Sequence, residues 1–257
     1  MPPIPRSRRS SPTSPGTDRK RRTGDAVQAV ILAAGAGTRL RSASPVKPLT
    51  PLGGRSLLLH LLDRLALAGI SEAVIVVGYE GDAVRAALAG PQPCRVTIVR
   101  NPDWTAPNGV SLRAAAPHLA DRALLVMADH LVAPALYARV AACDLGQAAL
   151  ALGIDRRLGS GWVDEADVTR VATRRGRITA IGKNLAVYDA YDTGVFQITP
   201  ALIDALAGAT PSLSDGVRAL ALAGRALTVD CSGDPWLDID DPRALALAEI
   251  ALHREFA

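Results

Sequence analysis

The residues best suited to chemistry are a glycine-rich turn and three spaced cations. Leu32-Ala33-Ala34-Gly35-Ala36-Gly37-Thr38-Arg39-Leu40 directly follows an apolar run. Glycines at 35 and 37 let the backbone approach a ligand closely, with successive amides facing phosphate oxygens. No Gly-Lys-Ser/Thr follows, so this is not a Walker A loop. Leu40 stands where a dinucleotide fingerprint has its third glycine. Arg39 can clamp a polyphosphate through both arms of its guanidinium. Lys47 sits in Pro45-Val46-Lys47-Pro48-Leu49, a point charge whose neighbouring prolines restrict the backbone. Lys183, at the end of an expected strand, can neutralise a second phosphate. A GxG turn alone is only a tight connection, but with Arg39 and Lys47 added it reads as a phosphate site.

Carboxylates complete the set. Asp129 closes Met127-Ala128-Asp129-His130, at the carboxyl end of an apolar strand, where open α/β sheets bind ligands. Trp236-Leu237-Asp238-Ile239-Asp240-Asp241 supplies more acids. Mg²⁺ on phosphates needs one or two protein carboxylates, which Asp129 and Asp238 would provide. Asp240 is the reserve ligand, because Asp238 and Asp240 would share a face in a strand. Asp241-Pro242 reads as a helix cap. Asp192 and Asp189 can accept hydrogen bonds from ring hydroxyls, although Asp189 fits turn chemistry equally. Asn108 and Ser111 can bond ribose or acceptor hydroxyls, or equally form an Asn-Gly turn and a cap. Backbone at Ala33-Ala34 and Val77-Gly78-Tyr79 is placed to read a pyrimidine edge. His60, His118 and His130 present no case for a general base, since a phosphate monoester is already ionised near neutrality.

The elements that must position these groups alternate. Strands are expected at 27–34, 73–77, 95–99, 123–128 and 148–152, with helices at 56–67, 81–89, 112–119 and 134–142. Continuous apolar strands between helices argue for a parallel sheet covered on both faces. A hairpin then follows, from 168–172 and 177–181 around Arg174-Arg175-Gly176. A strand at 194–198, helices at 200–207 and 214–223, a strand at 226–229 and a helix at 242–256 complete the pattern. The expected organisation is one α/β domain over 26–257, with a small mixed β-rich insertion around 155–193.

Composition excludes several classes. The chain has 257 residues, 49% of them hydrophobic, enough for a large core, and 4% aromatic, so that core is chiefly Ala, Leu, Val and Ile. No run of eighteen apolar residues exists, so no transmembrane segment is expected. Cys94, Cys143 and Cys231 follow no disulfide or zinc spacing, which fits a reducing cytoplasm. Net charge is +4, yet residues 1–24 carry seven basic groups against Asp18, leaving 22 basic and 24 acidic residues elsewhere. The body therefore has no nucleic-acid signature. The Pro/Ser/Arg-rich tail at 1–25 is expected to be a disordered, solvated extension, with tethering to an anionic surface as the other reading.

The run LAAGAGTRL with PVKPL resembles the signature of sugar-phosphate and alcohol-phosphate nucleotidyltransferases, which have a Rossmann-like fold. Asn101-Pro102-Asp103-Trp104, Asn108-Gly109-Val110-Ser111-Leu112, Met127 to His130, and Ile181-Gly182-Lys183-Asn184-Leu185 with Asp192-Thr193-Gly194-Val195-Phe196 are similar to CTP:inositol-1-phosphate cytidylyltransferases. The resemblance implies that Leu32 to Thr38 cradle the nucleotide and that Arg39 contacts its phosphates. It further implies that Lys47 bridges nucleotide and acceptor, and that Asp238 is the acid of the late W-L-D motif. The implied reaction joins CTP and inositol 1-phosphate to give CDP-inositol and pyrophosphate. Phosphocholine, 2-aminoethylphosphonate and hexose 1-phosphates are the alternative acceptors. Many archaeal members of that family carry a membrane phosphatidyltransferase domain, and here that step is expected of a separate protein.

Overall fold

The computed structural model describes residues 27–255; the basic tail at 1–25 lies outside the described residues. Strand β1 (Gln28–Ala33) is buried along its entire length, as a central parallel strand must be. The short β2 (Pro51–Leu52) and β3 (Arg55–Ser56) lead into α1 (Leu57–Leu67). Ser56 caps α1 by accepting from the Leu59 amide, and Leu58, Leu61, Leu62 and Leu65 form its buried face. Gly69, at φ 85°, ends that turn in a conformation glycine adopts without steric cost.

The chain continues through β4 (Glu72–Val77), α2 (Gly81–Ala87), β5 (Arg95–Arg100), α3 (Asn108–Ala114), β6 (Ala123–Met127), β7 (His130–Val132) and α4 (Pro134–Ala141). It then forms β8 (Leu150–Asp155), β9 (Arg170–Arg174), β10 (Arg177–Gly182) and β11 (Ala190–Ile198). Helices α5 (Ala201–Ala205) and α6 (Leu213–Leu222), strands β12 (Ala226–Asp230) and β13 (Trp236–Asp238), and α7 (Pro242–Glu255) follow. Ser212 and Asp215 form a reciprocal capping box on α6.

Nine strands form one sheet in the order β5-β4-β1-β6-β11-β8-β12-β10-β9. β5, β4, β1 and β6 are mutually parallel; β11 runs antiparallel to β6 and β8, and β12 is parallel to β8. The β9–β10 hairpin continues this sheet and curls back, because β9 also bonds the start of β11. One apolar layer packs α1, α2 and α4 on one face; the other packs α3, α5 and α6 on the opposite face. A third, smaller cluster unites α7 with the edge segments around Leu52, Leu131 and Leu237. This is an α/β sheet covered by helices on both faces, as the alternating pattern predicts.

Several elements differ from the sequence expectation. The helix expected at 112–119 begins at Asn108 and breaks into a separate 3-10 turn at Ala116–His118, because Pro117 interrupts the backbone ladder. Asn108 therefore starts the helix, and its side chain accepts from the Leu213 amide of α6 at 2.9 Å. β11 begins at Ala190, four residues before the expected strand, with its pairing register broken between Asp192 and Phe196. β7 and β13 form a separate two-stranded antiparallel sheet.

Candidate active site

Lys47 lies at the centre of the site. It opens a 3-10 turn with Pro48 in its first positions, and it is buried. The glycine loop folds against it: Gly37 has φ 55°, and a Cβ there would lie 2.3 Å from the Lys47 Cβ. Only glycine satisfies both demands. The Lys47 Nζ donates to Asp129 Oδ2 at 2.6 Å and also to the Asp240 carboxylate. Asp129 lies two residues past the end of β6, and its carbonyl accepts from the Ile239 amide at 2.9 Å, which draws the end of β13 over the site.

On the other side of Asp129, His130 Nδ1 lies 2.8 Å from Asp129 Oδ1 and 3.7 Å from Asp238 Oδ1. Gly194, at φ 74°, lies against that ring: a Cβ there would stand 2.6 Å from the imidazole. Burial opposes ionisation of Asp129, but Lys47 and His130 outweigh it and hold the carboxyl well below its ordinary range. Burial also favours a neutral His130, yet Asp238 and Asp129 raise it to about 9. Asp238 is pushed up by burial despite the pull of His130. Asp192, whose Oδ1 accepts from the Gly194 amide at 2.8 Å, is raised by burial to about 6.

Ligand atoms of Asp129, His130 and Asp238 lie within 4.8 Å of one another. Asp238 Oδ1 is buried without a hydrogen-bond partner. An orphaned carboxylate oxygen facing a second carboxylate suits a hard divalent cation, so these residues fit a metal.

Arg39 pairs with Asp240 and, at 2.6 Å, with Asp167 Oδ2; Lys183 pairs with the other oxygen of Asp167. Cations and carboxylates thus alternate from Lys183 through Asp167, Arg39, Asp240 and Lys47 to Asp129. Two adjoining cavities flank this string. One of about 250 Å³ is lined by Leu32, Ala33, Gly35, Gly37, Lys47 and Asp129. The other, of about 220 Å³, is lined by Arg39, Asn108, His130, Trp162, Lys183, Asp192 and Asp238. Asp240 borders both.

The structure therefore gathers Arg39, Lys47, Lys183, Asp129, Asp192 and Asp238 at one rim of the sheet. It separates Asp238 from Asp240, which the strand alternation places together. β13 ends at Asp238, so Asp240 lies beyond the strand and turns to Lys47 and Arg39 while Asp238 faces His130. Ala34, Ala36, Thr38, Gly78 and Ser111 line neither cavity. The Ala34 carbonyl accepts from the Tyr79 amide at 3.0 Å, and a Cβ on Gly78 would lie 2.3 Å from the Trp104 Cβ. Ser111 is buried, with its hydroxyl accepting from Asn101 at 3.0 Å. Asp189 is taken up by Thr173 and Arg156. Asp167 and Trp162 escape sequence reasoning, because they lie in an irregular segment with no periodicity or motif.

The family model for the MobA-like NTP transferase domain matches residues 29–212. A bifunctional IPC transferase and DIPP synthase of Rubrobacter xylanophilus is 37% identical over 237 residues, 90% of this chain and 53% of that protein. A CMP-5'-(3-aminopropyl)phosphonate synthase of Streptomyces rubellomurinus is 39% identical over 151 residues, 57% of this chain and 24% of that protein. The chain spans about half the length of the bifunctional relatives it matches. Among solved structures, the inositol-1-phosphate CTP transferase from T. maritima superposes with a TM-score of 0.78 at 24% identity, covering 88% of this chain and 95% of that one. UDP-glucose pyrophosphorylase complexed with UDP-glucose gives 0.74 at 14% identity, covering 90% and 100%. The glycine loop folded on a buried lysine and the extent of these matches agree: the chain belongs to the MobA-like NTP transferase domain family and is a nucleotidyltransferase.

Proposed function

We propose that this chain transfers CMP from CTP to inositol 1-phosphate, releasing pyrophosphate and CDP-inositol. The observation that carries this reading is the placement of Lys47. It is buried between two carboxylates on the wall of the glycine-loop cavity, and one of them, Asp240, also borders the second cavity. The glycine-loop cavity would take the nucleotide, and the second the acceptor. The 37% identity to an IPC transferase along nearly the whole chain supports the choice of acceptor.

The acceptor phosphate arrives ionised and needs no base to attack the α-phosphorus in line. The principal barrier is the approach of two anions. Lys47 would neutralise charge from the glycine-loop cavity, Lys183 would hold the acceptor phosphate, and Arg39 would stabilise the departing pyrophosphate. Asp192 and Asn108 line the second cavity and would bond polyol hydroxyls. Asp129 and Asp238 would hold Mg²⁺, which when bound supplies further neutralisation of phosphate charge. Among the described residues no helix is long and apolar enough to cross a membrane. The reading places the reaction in the cytoplasm, beside its CTP supply, with the CDP-alcohol product passing to a membrane phosphatidyltransferase.

A second reading, an aminoalkylphosphonate acceptor, is favoured by the phosphonate-synthase relative and by the several carboxylates around the acceptor cavity. Pyrophosphate release is to be measured with CTP, UTP, GTP and dTTP against inositol 1-phosphate, phosphocholine, 2-aminoethylphosphonate and glucose 1-phosphate. CTP with inositol 1-phosphate should give the highest kcat/KM. A higher value for any other pair overturns the assignment.

A further inference from the structure

The two cations assigned to phosphates of different substrates, Arg39 and Lys183, do not stand free. Both reach the same carboxylate, and each takes a different oxygen: Arg39 bonds Asp167 Oδ2 at 2.6 Å, and Lys183 bonds Oδ1. A carboxylate and one edge of a phosphate present the same pair of acceptor oxygens to such donors. Half of each cationic side chain remains exposed, whereas three-quarters of Asp167 is covered. The acid is the fixed member and the cations are the movable ones.

The backbone holds Asp167 without help from its own side chain. The amides of Asp167 and Val168 donate to the Asp164 carbonyl at 3.1 and 2.9 Å, and the Ala166 amide donates to Asp164 Oδ1 at 3.0 Å. Tyr191, rising from β11, donates its hydroxyl to the Glu165 carboxylate, and Arg170 donates to the Glu165 carbonyl at 3.1 Å. The segment is thus pinned on both sides of the acid. Arg39 and Lys183 in turn hold the Asp167 carboxyl below its ordinary range, so it is ionised at neutral pH.

We propose that Asp167 is an internal stand-in for substrate phosphate: it keeps Arg39 and Lys183 converged on an anion seat, and the two cations swing from it to phosphate when phosphate enters. The inference rests on the reading of the second cavity as an acceptor site. Asp167 is a positioning residue, because it touches the two cations rather than the reacting atoms. A permanent negative charge at that seat discriminates against weakly charged occupants and weakens binding of every anion by the strength of the pairs to be broken.

Inorganic phosphate is the probe, titrated calorimetrically into the full chain at low ionic strength with no nucleotide or divalent ion. Exchanging two largely exposed ion pairs should alter affinity by about three- to tenfold. Asp167→Asn should therefore bind phosphate about three- to tenfold tighter than wild type. Asp167→Glu should match wild type, and Lys183→Gln should bind more weakly. A residue that merely braced the segment could lower affinity when replaced but not raise it. Equal or weaker binding by Asp167→Asn overturns the proposal, as does tightening by Asp167→Glu, which keeps the charge. No cytidylyl transfer is read, so this result and the acceptor screen can fail separately.

Discussion

Trp236 Nε1 donates to Asp155 Oδ2 at 2.8 Å, joining the first residue of β13 to the buried last residue of β8. Arg157 grips the same carboxylate, with Nε 3.0 Å from Oδ1 and Nη2 2.8 Å from Oδ2. β13 carries Asp238, so this bond fixes one end of the strand that presents the Asp238 carboxylate to Asp129 and His130. Burial alone would raise the Asp155 carboxyl, but the hydrogen bonds from Arg157 and Trp236 reverse that and hold it below its ordinary range.

Asp155→Asn should accordingly destabilise the fold by about 2 kcal/mol at neutral pH, read by urea unfolding. A carboxyl depressed in the folded state contributes stability above its unfolded value of about 3.9, and loses it as pH falls through the folded value. The variant should therefore show a shallower loss of stability below about pH 4. Parallel acid limbs for variant and wild type would refute the role.

Gly37→Ala should remove activity without unfolding the chain. The new methyl would enter the Lys47 side chain at 2.3 Å, in a backbone conformation of positive φ. Displacing that ammonium should cost on the order of 10²-fold in kcat. Retained turnover at a wild-type melting temperature would show that Lys47 does not depend on the loop.

Asp129→Ala should abolish Mg²⁺-dependent pyrophosphate release, by on the order of 10³-fold, with an unchanged circular dichroism spectrum. The fold survives because Lys47 keeps its bond to Asp240. Near-normal release across a Mg²⁺ titration would remove Asp129 from the metal assignment.

Ser111→Ala should lower stability by about 1 kcal/mol and leave the KM for both substrates within twofold, about the scatter between preparations. Its hydroxyl serves Asn101 inside the protein. A large change in either KM, measured by coupled pyrophosphate assay, would return Ser111 to the substrate.

The parallel half of the sheet was legible because buried strands leave continuous apolar runs, as VQAVILAA, AVIVV and ALLVMA do. Lys47 and Asp129 were legible for a related reason: each adjoins an element with its own signature. The first half of β11 was not, since Asp192, Thr193 and Gly194 interrupt the apolar pattern where the strand turns toward the cavity. β7 and β13 have three residues each, too few to display a period. Asp167 lies 128 positions from Arg39 and has no local feature to mark the pairing. The separation of Asp238 from Asp240 depends on where β13 stops, and strand ends are the least determined part of a pattern.

β13 is recruited late in the chain, beyond residue 212 where the family match stops. During synthesis, the glycine loop and Lys47 emerge long before Asp238 and Asp240. A nascent chain can therefore hold the glycine loop and Lys47 while still lacking Asp238 and Asp240, two of the carboxylates that the finished site contains. Asp238 is brought beside His130 and Asp129 only when this late strand pairs with β7.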